Sequence, residues 1–253
     1  DFPYQSGIKH KLLTDNLKYA DKLASTSYSM GEQTKKLLGN EDIEIAITPF
    51  GVDIKKFMRA GDISKNSDEI NLGIIKTLSP KYGIEYLIKA FSILLSLYNG
   101  DKKLKLKIYG SGDLLEQLID LTKELKIDRD VTFMGKIPND EVPSALWGID
   151  IFCLSSILDS ESFGVSAVEA MAAGLPVVAT DVSGFKEVME DGTTGIIVPA
   201  KDPQAMAHAI LRLIEDRQLR DLMGASGQER VTELYNWDNN VQNMIDLYND
   251  LIK

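Results

Sequence analysis

With one cysteine in 253 residues, Cys153, the chain cannot close a disulfide within itself. That cysteine lies in "IDIFCLSS", a buried-strand pattern, so it reads as an inert core thiol in a reducing, cytoplasmic setting. The two histidines, His10 and His208, lie far apart and in no metal-ligand spacing. No apolar run reaches the roughly 18 residues of a membrane span, and no signal peptide is visible. Any membrane association is therefore expected to be peripheral, at the inner face. Positive charge is scarce too: 28 Lys and Arg against 38 Asp and Glu give a net charge of −10. Nucleic acid is bound through lysines and arginines that displace counterions, so an acidic chain is a poor partner for it. Local basic spots could still hold a small anionic ligand.

What is present is an ordinary globular composition, 44% apolar and 26% charged, enough for one large α/β domain or one domain with part of another. From residue 70 onward strands and helices alternate. "EINLGIIKTL", "LKLKIYG", "DVTFMG", "IDIFCLSS", "PVVAT" and "TGIIVP" read as strands. Between them "GIEYLIKAFSILLSLY" and "DLLEQLIDLTKEL" have helical spacing. "NDEVPSALW" reads as a short helix with Asn139 as its cap and Pro143 in its first turn. Residues 164–173 form another, which Gly174 can end in a left-handed conformation, and "FKEVME" a further one. The last fifty or so residues are helical throughout. This order predicts a doubly wound, Rossmann-like parallel sheet covered on both faces.

Residues 1–48 hold two helical and two strand-like stretches, too few to bury a core of their own. They are expected to be the remnant of a preceding domain, because Asp1 opens neither a targeting segment nor a clean domain start. A polar stretch, "MRAGDISKNSDE", places an interdomain segment over 49–69. The Rossmann-like unit then covers 70–235, and a terminal helix, 236–253, would pack back on the preceding domain. Apolar surface left uncovered there would favour self-association.

The stretch "DSESFGVSAVEAMAAGLPVVATDVSGFKEV" sets Glu161 and Glu169 eight positions apart around a helix start. A helix N-terminus gathers unpaired N–H groups and partial positive charge, so it attracts phosphate, and Gly164 leaves the approach open. The amides of Gly164 and Val165 are thus candidate diphosphate donors. Eight helical steps span at most about 12 Å, which suits a sugar, a diphosphate and a ribose in series. The residues alone also admit the simpler reading of two acids beside a helix dipole.

The order of elements and the run "ESFGVSAVEAMAAGLPVVATDVSGFKEVMEDGTTGIIVP" closely resemble the nucleotide-binding half of retaining glycosyltransferases of the GT-B fold, family four, the group 1 glycosyl transferases. That family carries two glutamates with seven residues between them, then Ala-Met-Ala-x-Gly-x-Pro-Val-Val-Ala, a glycine turn and an Asp-Gly-x-x-Gly pair. These match Glu161 and Glu169, Ala170 to Ala179, Gly184, and Asp191, Gly192 and Gly195. "TPFGVDIKKF" resembles the family's interdomain segment. The resemblance implies that Glu161 holds donor-sugar hydroxyls, Gly164 and Val165 donate to phosphate or sugar, and Glu169 binds the ribose. It implies that Gly110 and Gly112 of "IYGSGD" lie near the nucleotide, and that the main chain at Lys136 and Ile137 reads the base.

One departure concerns the phosphate cations. The family commonly has Arg and, five positions later, Lys-Gly after this first strand; aligned on "LSPKYG", those places hold Thr77 and Tyr82. Lys76 and Lys81 stand one residue earlier. A local bulge could bring them to the same place, whereas a one-residue shift in a regular strand would turn Lys76 to the other face. They are carried as candidate catalytic cations beside Glu161, against the alternative of two solvated lysines.

The resemblance further implies retention of anomeric configuration and no bound metal or cofactor. The donor would be a UDP-, GDP- or ADP-linked sugar and the acceptor a carbohydrate or lipid-linked molecule, in polysaccharide or glycoconjugate synthesis. The chain itself, holding only the donor half, would transfer little. A non-catalytic nucleotide-binding or scaffold relative remains the alternative. A dinucleotide-binding dehydrogenase is disfavoured, because the glycine turn follows the second strand and lacks a third glycine.

Overall fold

Short strands rich in valine, isoleucine and leucine, each followed by a helix with one apolar face, commit this chain to a parallel sheet between two helical layers. The computed structural model describes residues 7–58 and 68–252. The first part holds α1 (Ile8–Lys18), β1 (Leu23–Ser25), α2 (Tyr28–Leu38), β2 (Ile45–Ile47) and α3 (Ile54–Phe57). The second begins with β3 (Glu69–Ile75), α4 (Ile84–Leu97), β4 (Lys103–Tyr109), α5 (Leu115–Glu124), β5 (Val131–Gly135) and α6 (Val142–Trp147). It continues through β6 (Ile151–Leu154), α7 (Val165–Ala172), β7 (Val177–Thr180), α8 (Ser183–Val188) and β8 (Gly195–Val198). Three helices end it: α9 (Pro203–Glu215), α10 (Arg217–Leu234) and α11 (Trp237–Ile252).

β1 and β2 form a separate two-stranded sheet, and β3 to β8 a six-stranded one in the order β5-β4-β3-β6-β7-β8. All its pairings are parallel. Counted from β3, the order is that of the doubly wound dinucleotide-binding sheet, and it turns back between β3 and β6. Side chains alternate across the sheet with a period of two. Ile151, Cys153 and Val178 face the layer of α4 and α9. Phe152, Leu154, Val177 and Ala179 face the layer of α7 and α8. Phe91, Phe152 and Phe185 are fully buried, each contributing about 2–3 kcal/mol by leaving water. Cys153 is wholly buried, and burial pushes its thiol up to about 12, so it is a core residue.

One local reading changes. Asn139 does not cap α6: residues 139–141 form a 3-10 turn, and Glu141 takes the cap position without a side-chain bond. Pro143 does sit in the first turn, where its missing N–H has no partner to lose. Within 49–69, Val52, Ile54 and Phe57 are buried in the same core as α7. Val52 donates its N–H to Tyr235 and accepts from Trp237, tying this segment to the end of α10. The polar centre of the expected linker, residues 59–67, lies outside the described residues.

The first part is fastened to the second by a long-range cap. Glu187 on α8 accepts the N–H groups of Tyr28 and Ser29 at 2.7 and 3.1 Å, a carboxylate on the positive end of α2. α11 buries none of its side chains, and Trp237, Val241, Ile245, Tyr248 and Ile252 form an exposed apolar stripe.

Candidate functional site

Ligands of doubly wound sheets bind outside the carboxyl ends of the strands, where the strand order turns back. Here that point lies between β3 and β6, and the segments leaving those strands carry Lys76 and Glu161. Lys76 Nζ lies 2.7 Å from Glu161 Oε2, with the two side chains only 12% and 13% exposed. Ser156 Oγ donates to the same oxygen at 3.4 Å.

Lys76 reaches this place by neither of the routes considered from the sequence. β3 has ended at Ile75, and the chain runs on beside β4 through bonds from Lys76 N–H to Tyr109 and from Leu78 N–H to Ser111. The register shift in this region lies between β4 and β5, at Ile108 and Tyr109. Past the last paired residue of the strand, the period-two rule no longer fixes which way a side chain points.

The glycine turn after β4 is a close approach. A Cβ at Gly110 would collide with the Lys76 carbonyl, and one at Gly112 with the Leu78 carbonyl. Gly110 donates its N–H to Gly135 at 2.8 Å, bringing the exposed Lys136 and half-buried Ile137 beside the same strand ends.

α7 opens at Gly164, whose φ of 83° is the left-handed conformation that only glycine adopts freely. No side chain caps this helix. Among the described residues the N–H groups of Gly164 and Val165 have no acceptor in the chain, and Val165 is 39% exposed. Glu161 turns to Lys76, leaving the helix mouth clear of its carboxylate. The eight residues from Glu161 to Glu169 are helical only from Val165, so they do not span a single helical rise. Glu169 sits one turn inside α7, where burial pushes its carboxyl up to about 7 against the opposing pull of the nearby Lys76. Both glutamates therefore share one cation.

Lys81 stands on the exposed side, in a 3-10 turn over Pro80–Tyr82. It borders a groove of about 1100 Å³ that runs from Ile157 and Asp159 to Leu17, Met30 and Ile45 of the first part. Asp159 fixes this rim by accepting from Ser183 N–H and Oγ, and those bonds hold its carboxyl below the usual range.

Two features escaped the sequence reading. Ser166 Oγ is buried in the first turn of α7 with no partner, an orphan beside the free amides. Its signal was a hydroxyl next to a predicted anion-binding helix start. Tyr82 has both Lys76 Nζ and Lys81 Nζ near its ring, at 4.8 and 4.7 Å from the centroid. Nothing local announced that.

Known proteins are similar to this chain in sequence and in fold. An uncharacterized glycosyltransferase of Methanocaldococcus jannaschii is 32% identical over 207 residues, 80% of this chain and 52% of that protein. A phosphatidyl-myo-inositol mannosyltransferase of Mycolicibacterium smegmatis is 35% identical over 205 residues, 79% of this chain and 50% of that protein. The chain thus spans about half the length of these curated relatives. Among solved structures, Anabaena HepE in complex with UDP superposes with a TM-score of 0.88 at 21% identity, covering 98% of this chain and 69% of that one. That likeness is one of fold, the GT-B fold. The family described as glycosyl transferases group 1 matches residues 59–230, more than half of the sequence. On that match and the identities above, the chain belongs to the group 1 glycosyl transferases.

Proposed function

We propose that this chain binds the nucleotide-diphosphate sugar donor of a retaining, metal-independent glycosyltransferase. The observation that carries the reading is the Lys76–Glu161 pair at 2.7 Å, set where the strand order turns back and beside the open mouth of α7. The diphosphate sits against the Gly164 and Val165 amides, with Ser166 Oγ as a further donor. Lys76 and Lys81 neutralise its charge as the sugar departs, which is electrostatic preorganisation. Neutralisation is assigned to these cations and amides, which stand together at the strand ends and the helix mouth.

Glu161 accepts hydroxyls of the donor sugar through the oxygen that Lys76 leaves free, and Glu169 accepts the ribose hydroxyls. Gly110 and Gly112 let the nucleotide lie close to the main chain, and the backbone at Lys136 and Ile137 meets the base. The acceptor, a carbohydrate or lipid-linked molecule, attacks from the face the leaving group vacates, so neither glutamate is a nucleophile and the paired-carboxylate chemistry of glycosidases is not needed. The relatives' mannosyltransferase names support a hexosyl transfer in glycoconjugate synthesis. These 253 residues alone are expected to transfer little, because the match spans about half of those relatives.

The test is a calorimetric titration with UDP, GDP and ADP and their sugar-linked forms. One base is expected to bind. Glu169→Ala should weaken the bare nucleotide by about tenfold, the loss of one charge-assisted hydrogen bond. Glu161→Ala should weaken only the sugar-linked form; the bare nucleotide holds or gains, because phosphate becomes the main anionic partner of Lys76. Equal losses in both variants overturn the assignment of roles. No heat with any of the three nucleotides overturns the reading in favour of a scaffold.

A further inference from the structure

Tyr82 stands where the family resemblance puts a phosphate-binding lysine, and a neutral ring cannot replace that charge. The structure shows what the ring does touch. Lys76 Nζ lies 4.8 Å from its centroid and Lys81 Nζ 4.7 Å, one cation from each end of the six-residue stretch 76–81. The ring is held in place by its own backbone. Tyr82 N–H donates to the Ser79 carbonyl at 3.1 Å, and its carbonyl accepts from Ser155 Oγ at 2.9 Å. Ile157 N–H donates to the Lys81 carbonyl at 2.9 Å. The turn is thus bolted to the segment after β6, the same segment whose Ser156 contacts Glu161.

Resting on the donor-binding reading above, we propose that Tyr82 is a positioning residue that gathers Lys76 and Lys81 toward the donor diphosphate. Two lysines close together repel, and an exposed lysine spreads over many rotamers in water. A carboxylate would collect them but cancel their charge. An aromatic face attracts an ammonium through its quadrupole and leaves that charge whole for a phosphate. Lys76 has a carboxylate partner as well, whereas for Lys81 the ring is the charge-preserving contact that the structure shows. Tyr82 therefore supplies by placement what a cation at its own position would supply by charge.

The readout is the ratio of nucleoside diphosphate to nucleoside monophosphate affinity, measured with UDP, GDP and ADP beside UMP, GMP and AMP. A purely structural residue would lower the melting temperature without moving that ratio. Tyr82→Leu should cut it about tenfold, and Tyr82→Phe, which keeps the ring, should restore it. Lys76→Ala and Lys81→Ala should each cut it as well. If the lysine variants lower the ratio and Tyr82→Leu does not, the positioning role is overturned and the donor-binding reading stands. If neither lysine variant moves the ratio, the diphosphate assignment itself fails, and the role of Tyr82 with it. If Tyr82→Phe behaves like Tyr82→Leu, the phenol oxygen and not the ring face is responsible, which also overturns the proposal.

A second measurement needs no variant to fold. In the native chain, NMR of labelled lysine should show two side-chain methylene signals displaced by the ring current of Tyr82, both moving when the diphosphate that binds is added. Two undisplaced signals overturn the proposal.

Discussion

Lys76→Ala is expected to lose about 3 kcal/mol of stability and about 30-fold in nucleoside diphosphate affinity. Removing one member of a buried ion pair leaves the other charged in a poorly solvated place, a penalty of about 3–5 kcal/mol when burial is complete. Here both side chains keep a small exposure, 12% and 13%, so the lower end applies. The loss falls on two acids at once, since Lys76 also draws down the proton affinity of Glu169. For a chain of this size the stability term is a drop of about 8 °C in melting temperature. The binding term is one charge-assisted contact to phosphate, about 2 kcal/mol.

The two terms can be separated. Lys76→Met combined with Glu161→Gln removes both charges and fills similar space, and neutral replacement of a buried pair is often harmless to stability. The double variant should melt within about 3 °C of the native chain while its diphosphate affinity stays low. Recovery of both would mean that Lys76 matters only as the partner of Glu161. A single variant that melts like the native chain would show that the pair carries no stability.

How much of this could be read beforehand depended on the range of each signal. The alternation of Ile151, Phe152, Cys153 and Leu154 between two cores is local, and so was the parallel sheet that it implies. The opening of α7 was also local, because a glycine followed by alanine-rich helix marks its own boundary. Contacts across the chain were not legible. Lys76 and Glu161 are 85 residues apart, and Glu187 caps α2 from 158 residues away at Ser29. The orientation of Lys76 depended on where β3 stopped, and a strand end is set by its neighbours' pairing rather than by its own residues. α3 has four residues, too few to show a helical period, so this packed turn inside the interdomain segment was not foreseen. Asn139 failed as a cap because a preference for a position says nothing about a 3-10 turn ahead of the helix.

Glu169→Gln should stabilise the chain at pH 8 and leave it nearly unchanged at pH 4.5. An ordinary glutamate titrates near 4.5, and burial in α7 pushes this one to about 7. Between those values the unfolded chain gives up a proton that the folded chain keeps, so the contribution of this group falls as pH rises. That contribution is complete below about 4.5 and gone above about 7, a swing of about 3 kcal/mol. The amide avoids the buried charge, so at pH 8 the variant should melt about 6–12 °C higher. Binding should change in the opposite direction. A ribose held by the ionised carboxylate requires proton release below pH 7, so native nucleotide affinity should rise up to about tenfold per pH unit from 5.5 toward 7 and then level. In Glu169→Gln the profile should be flat and the affinity about tenfold lower at pH 8. Greater stability with weaker binding is the mark of a charge kept for ligand rather than for fold. A native affinity that ignores pH between 5.5 and 7.5, or a variant no more stable at pH 8, would remove Glu169 from the ribose site.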